Sequence, residues 1–194
     1  MPFPGSPQEP NILIALSTER VRERHSPSIV EQEVVELFDR MRDRLVRYLL
    51  SFSLPISDSE DIIQETFLAL FQHLQRGKSR QNLKGWLFSV AHNLALKHRR
   101  NQRNFRHDSG SMSEAEKAFV NPSPNPEDEL AANEIQARIM TALEGLPEQN
   151  RWCLYLRAEG LRYREIAKIL NISLGSVANY LERSLAHLAR VVQR

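Results

Sequence analysis

Cysteine is nearly absent: Cys153 is the only one in 194 residues. That excludes an internal disulfide and any zinc cluster built on cysteine pairs. Long hydrophobic runs are missing too. The longest apolar stretch near the start, Ile12–Leu16, falls far short of the roughly 20 residues that cross a bilayer. The opening prolines (Pro2, Pro4, Pro7, Pro10) lack the basic-then-apolar order of a signal peptide. A cytoplasmic protein without membrane insertion is therefore expected. There is no HExxH, no GxxxxGK[ST] loop and no serine nucleophile elbow, and the six histidines are scattered, which argues against an enzyme. An excess of one charge is also lacking. With 26 Lys and Arg against 24 Asp and Glu, the net charge of +2 advertises no polyanionic partner.

What is present is a globular composition, 41% hydrophobic and 26% charged, of a length that suits one ordinary domain or two small ones. Divided by segment, the charge is far from even. Residues 1–30 balance, 31–107 carry +4, 108–130 carry −5 and 131–194 carry +3. After Glu65 no acid occurs until Asp108, while Arg76, Lys78, Arg80, Lys84, Lys97, Arg99, Arg100, Arg103 and Arg106 all fall in that interval. Solvated helices usually mix both signs, so a one-sign stretch of this length points to a polyanion surface, with an unpartnered basic tail as the bland alternative.

The acidic segment holds Ser109-Gly110-Ser111 and then Pro122, Pro124 and Pro126, a pattern that cannot continue a helix. The sequence therefore divides into an N-terminal extension (1–30) without fixed structure, a domain over 31–107, a flexible acidic Pro/Ser-rich linker over 108–128 and a second domain over 129–194. Both domains are expected to be small and helical, giving an all-α fold. In the first, Val34, Val35, Phe38, Met41, Leu45 and Leu49 recur at helical spacing until Pro55 breaks the pattern. Ser57 and Glu60 then read as a capping box for a helix with Ile63, Phe67, Leu70, Phe71 and Leu74 along one stripe, ended by Gly77. A third helix is expected from about Lys84 to Asn101. In the second domain, helices are expected over 128–144, from Pro147 to Arg157, and twice more before the C-terminus. Asp58, Glu60, Asp61 and Glu65 complement the positive end of their helix, and no histidine sits at ligand spacing, so neither a metal nor a cofactor is expected.

On a helical wheel, Leu87, Val90, Ala91, Leu94 and His98 fall on one side of the third helix. Asn93, Lys97, Arg100 and Asn104 fall on another, with Ser89 and Trp86 at the near edge. Amides read base edges, cations meet phosphates and rings stack on unpaired bases. Trp86 has two readings, core packing within Trp-Leu-Phe or base stacking.

The strongest local pattern is LRYREIAKILNISLGSVANYLERSLAHL at 161–188. Tyr163–Leu170 forms a short helix with Ile166, Ala167 and Leu170 inward, and Asn171 suits a left-handed C-cap. Ile172 plugs the core, Ser173 can cap the next helix with Ser176 just inside it, and Val177, Leu181 and Leu185 mark its buried side. This is helix-turn-helix spacing, with a plain αα-hairpin as the competing reading. Exposed on the second helix would be Gly175, Ser176, Ala178, Asn179, Glu182 and Arg183, of which Asn179 and Arg183 are credible DNA contacts.

Taken together, DSEDIIQETFLALFQHL with LKGWLFSVAHNLALKHRR, and LPEQNRWCLYLRAEGLRYREIAKILNISLGSVANYLERSLAHL, resemble the extracytoplasmic-function (ECF) type of bacterial sigma factor in the sigma-70 superfamily. The resemblance covers about half the chain, in the right order and with a linker between. It implies a dissociable initiation factor that binds core RNA polymerase, directs it to promoters and helps melt the minus-ten element. It maps polymerase-clamp docking onto Asp61, Gln64, Glu65 and Phe67. Minus-ten strand capture maps onto Asn82, Leu83, Lys84, Trp86, Asn93, Lys97, Arg100 and Arg103. Minus-thirty-five contacts map onto Ser173, Ser176, Asn179 and Arg183, in a domain that also touches the polymerase flap. An anti-sigma factor is implied as a further partner.

The sequence departs from the family where members commonly show Lys-Ser-Arg after the valine of the recognition helix; here Ala178-Asn179-Tyr180 stands, and Leu185 replaces another frequent base. Each neutralised phosphate contributes about 0.9 to the salt slope on duplex DNA, so minus-thirty-five recognition should be weaker or unusual. The alternatives are a stand-alone helix-turn-helix regulator, or a polymerase-binding protein with reduced DNA reading.

Overall fold

The computed structural model describes residues 28–109 and 136–192, and every regular element among them is an α-helix. Most of the expected extension and of the expected linker lie outside these residues. The chain forms α1 (Ile29–Leu50), α2 (Ile56–Gln75), α3 (Leu83–Ser109), α4 (136–144), α5 (Glu148–Ala158), α6 (Tyr163–Leu170) and α7 (Leu174–Val192).

The first helix starts inside the expected extension. Ser28 Oγ accepts from Glu31 N and Glu31 Oε2 accepts from Ser28 N, a reciprocal capping box that satisfies two orphan donors. The box expected at Ser57 and Glu60 does not form. There α2 begins at Ile56 behind Pro55, and the Ser57 hydroxyl turns to Asp58. Pro55 fixes the entry to the helix without a side-chain cap. At the far end α2 stops at Gln75, and Gly77 takes φ +63°, a conformation that costs a glycine little. The third helix runs beyond the expected Asn101, to Ser109.

Helices α1, α2 and α3 pack around Leu45, Tyr48, Leu49, Ile63, Leu70, Leu87 and Phe88, all buried. Polar groups in this core are satisfied locally, with Thr66 Oγ1 donating to Ile62 O and Ser59 Oγ to Pro55 O. Val35, expected inward, is exposed, whereas Phe88, His92 and Ala95 lie deeper in α3 than the wheel implied. His92 shifts the apolar face because its imidazole is buried: the Tyr48 hydroxyl lies 2.8 Å from its Nδ1, and Phe52 packs edge-on.

The second unit packs α5 and α6 on α7, with Trp152, Cys153, Leu156, Ile166, Val177 and Leu181 buried. Leu185, expected on the same stripe, points to solvent, and Ser184 occupies the buried position instead. A period of 3.6 carries the stripe from Val177 through Leu181 to 184 rather than 185. The serine is tolerated there because its hydroxyl donates to Tyr180 O and accepts from Asn150 Nδ2.

The two units share one core. Trp152 of α5 stacks on Phe52 with ring centroids 4.6 Å apart and meets His92 edge-on at 5.1 Å. Helix α6 packs against α3, and α5 against α1.

Burial holds His92 neutral, pushing its pKa from 6.5 down to about 4. Unfolded chains therefore bind a proton that the folded chain refuses between those values. The imidazole's contribution is complete above pH 6.5 and is lost as pH falls toward 4, by on the order of 3 kcal/mol. Urea unfolding at a series of pH values should show this loss, and His92→Gln should flatten that part of the profile.

Candidate nucleic-acid and polymerase interfaces

The acidic start of α2 presents Asp61, Gln64 and Glu65 to solvent. Phe67 does not join them. It is 5% exposed and packs edge-to-face on Phe38 at 5.0 Å, so its ring supports the helix from beneath and is closed to a partner. Leu68, one residue on, is 57% exposed and supplies the apolar group that Phe67 was expected to give. Its signal was available in the sequence, since Leu68 falls off the Ile63–Phe67–Leu70–Leu74 stripe. Asp58 turns inward across the bundle: its Oδ2 accepts from Gln102 Nε2 at 2.8 Å and lies 2.9 Å from His98 Nε2. The fold thus brings a histidine to this carboxylate that sequence spacing did not place there. Among the described residues, no three His, Cys, Asp or Glu side chains group as metal ligands.

Along α3, Asn93, Lys97, Arg100 and Arg103 are exposed on one side. The loop before the helix is more constrained. Asn82 takes φ +53°, and its Oδ1 accepts from Gly85 N at 3.2 Å, capping α3. A Cβ at Gly85 would stand 2.5 Å from Asn82 Nδ2, so glycine there lets the amide fold over the helix end. Leu83 is half-buried. Trp86 is half-buried as well, its ring 4.8 Å from that of His73, so it is neither sealed in the core nor fully presented.

The acid-free stretch is not left unpaired in space. Arg80 bonds Glu33 at 3.0 Å, Arg99 bonds Glu148 at 2.7 Å and Asn82 Nδ2 donates to Glu165 Oε1 at 2.7 Å. Lys84 Nζ donates to Glu159 O and lies 4.0 Å from its carboxylate, while Arg44 and Arg47 approach the same carboxylate at 3.3 and 3.9 Å. Arg99, Arg100, Arg103 and Asn104 border an open depression of about 270 Å³ on Leu96 and Glu148.

In the second unit, α6 ends where Asn171 adopts φ 52°, ψ 48° and Ile172 N returns to Ala167 O. Ser173 Oγ accepts from Ser176 N at 3.0 Å and shares a bond with the Ser176 hydroxyl at 2.8 Å. Both serines therefore build the start of α7. Asn179, Glu182 and Arg183 are exposed on that helix, with Ala178 and Leu185. Ala167, Leu170 and Ile172 are partly buried against the core. Cys153 is fully buried, and desolvation raises its thiol pKa to about 11, which leaves it a core residue without thiolate character.

Comparison with known proteins places this geometry. Residues 37–105 match sigma-70 region 2, and residues 136–188 match sigma-70, region 4. The RNA polymerase sigma factor NccH of Alcaligenes xylosoxydans xylosoxydans is 30% identical over 161 residues, spanning 81% of this chain and 86% of that one. The ECF RNA polymerase sigma factor SigE of Mycolicibacterium smegmatis is 30% identical over 154 residues, covering 79% of this chain and 59% of its own longer length. Among solved structures, the sigma factor RpoE in complex with the anti-sigma factor NepR from Bartonella quintana shares the fold. Its TM-score is 0.65 and its identity 21%, over 84% of this chain and 95% of that one.

The turn between α6 and α7 depends on a left-handed backbone at Asn171, which most side chains resist by about 1–2 kcal/mol. Asn171→Gly should leave thermal stability near that of the wild type, whereas Asn171→Ala should lower it by about 1 kcal/mol. Paired denaturation curves check both.

Proposed function

Because the chain belongs to the sigma-70 family of RNA polymerase sigma factors, we propose that it binds core RNA polymerase, brings it to specific promoters and captures the melted minus-ten strand. The observation that carries this reading is the pairing, in one chain, of an exposed cationic and amide-bearing face on α3 with a capped helix-turn-helix in α6–α7. A stand-alone regulator would have no use for the first unit.

Polymerase docking falls to Asp61, Gln64 and Glu65 on the outer face of α2, with Leu68 beside them and Phe67 holding the helix in place. Strand capture falls to Asn93, Lys97, Arg100 and Arg103, with Asn82, Leu83, Lys84 and Trp86 at the entry loop. Cations along a helix offset backbone phosphates, and an amide can fix a base edge. Asn179 and Arg183 face the minus-thirty-five duplex, and Ser173 and Ser176 set the angle of their helix. The functional units are residues 28–107 and 129–194, with 108–128 connecting them. The role is non-enzymatic and cytoplasmic, and its partners are the polymerase clamp and flap, promoter DNA and an anti-sigma factor. RpoE and CnrH were each crystallised with such an inhibitor or its cytosolic domain, which supports that last partner.

One observation favours a second reading, a polymerase-binding protein with reduced duplex recognition. Arg183 is the only cation among the exposed residues in the first three turns of α7, and Glu182 adjoins it. Run-off transcription with core polymerase and a promoter library decides between them. Factor-dependent start sites are expected; their absence with polymerase binding intact would favour the second reading.

The two faces should also separate by mutation. Loss of one base-edge amide is worth roughly a tenfold effect. Asn93→Ala should therefore slow promoter opening by about tenfold while leaving polymerase affinity within about twofold. Glu65→Lys should weaken polymerase capture first. Equal loss of both activities in Asn93→Ala would show that α3 is not the capturing helix.

A further inference from the structure

The second unit covers one end of the nucleic-acid face of the first. Asn82 and Lys84, at the entry to α3, are held by Glu165 and by the carbonyl and carboxylate of Glu159. Both acids come from the segment that links α5 to α6 and opens α6. Glu159 is the focus: its side chain is 14% exposed and faces Arg44, Arg47 and Lys84 together. Three cations converging on paired oxygens is the arrangement by which proteins hold a phosphate. The covering is confined to this end. Asn93, Lys97 and Arg100 stay exposed further along α3, and Asn179 and Arg183 stay exposed on α7.

The apolar half of the seam shows why the contact can be temporary. Trp152 is sealed against Phe52 and His92, yet its Nε1 is buried with no hydrogen-bond partner among the described residues. An unpaired buried donor costs free energy that water returns when the surface opens. The closed arrangement thus combines a specific charge clamp with an imperfect apolar fit.

We infer that the chain carries its own latch: the acidic edge at Glu159 and Glu165 occupies the minus-ten entry loop in place of a nucleic-acid backbone, so strand capture requires the two units to separate. The inference rests on the promoter-binding function proposed above. It differs from inhibition by a second protein, because the blocking groups belong to the same chain and are displaced by whatever separates the units.

Two substitutions of opposite charge test it on the full-length chain, with circular dichroism confirming that each variant stays helical. Glu159→Arg sets a cation against three others, and Arg44→Glu sets an acid against Glu159. Both should enlarge the radius of gyration in small-angle scattering. Both should also tighten polymerase-independent capture of a fluorescent single strand, taken from a promoter the wild-type holoenzyme transcribes, by about tenfold. A simple surface-charge effect would instead tighten capture in the first variant and weaken it in the second, which would overturn the latch. An unchanged radius of gyration in both variants would overturn it too, as would a larger radius with unchanged capture. Run-off transcription by the wild-type holoenzyme, measured in parallel, distinguishes a failed latch from a failed promoter function.

Discussion

The hydrogen bond between the Tyr48 hydroxyl and His92 lies in a place from which water has been removed, and four structural elements meet there. Tyr48 belongs to α1, His92 to α3, Phe52 to the turn before α2, and Trp152 to α5 of the second unit. A charged imidazole could not occupy this site without a carboxylate partner, and none adjoins it. Burial therefore keeps it neutral, and the aromatic rings close around it. The crossing of α1 and α3 follows from this cluster, and with it the direction in which α3 presents Asn93 and Lys97. The same cluster forms the apolar floor of the seam between the units. A single buried polar contact thus sets both the face that meets nucleic acid and the surface on which the second unit rests.

The helix-turn-helix could be read from sequence almost residue by residue, because its determinants are local. Tyr163–Leu170, the left-handed Asn171 and the Ser173 cap each depend on neighbours within a few positions. Errors arose where a side chain's polarity concealed its burial. Ser184 was passed over for Leu185, and His92 was left off the apolar face of α3, because neither residue looks like core until its distant partner is known. For Ser184 that partner is Asn150, and for His92 it is Tyr48, 44 residues away. Phe67 failed in the opposite sense. Its place in the family pattern marked it for a partner, while its own stripe, with Phe38 behind it, required it inside.

The seam itself was not legible at all. Its ion pairs join positions 75 to 115 residues apart, and no spacing rule connects Glu159 with Arg44 or Lys84. Segment totals of +4 and +3 would even predict mutual repulsion between the units. Individual placement outweighs those sums, because at contact distance a few desolvated pairs outweigh charges separated by more than about 8 Å of salt solution. The acids missing between Glu65 and Asp108 are therefore supplied by folding rather than by sequence neighbours.

The seam joins an ion cluster at its edge to an aromatic stack at its centre, and the two respond oppositely to the solution around them. Added salt screens the contacts of Glu159. Strongly hydrated anions, by contrast, reinforce the burial of Trp152 against Phe52. The spacing of the two units is consequently a property of ion identity as well as of ionic strength. Sulfate and chloride at matched ionic strength should give this chain different average dimensions, although no residue in the seam binds either anion.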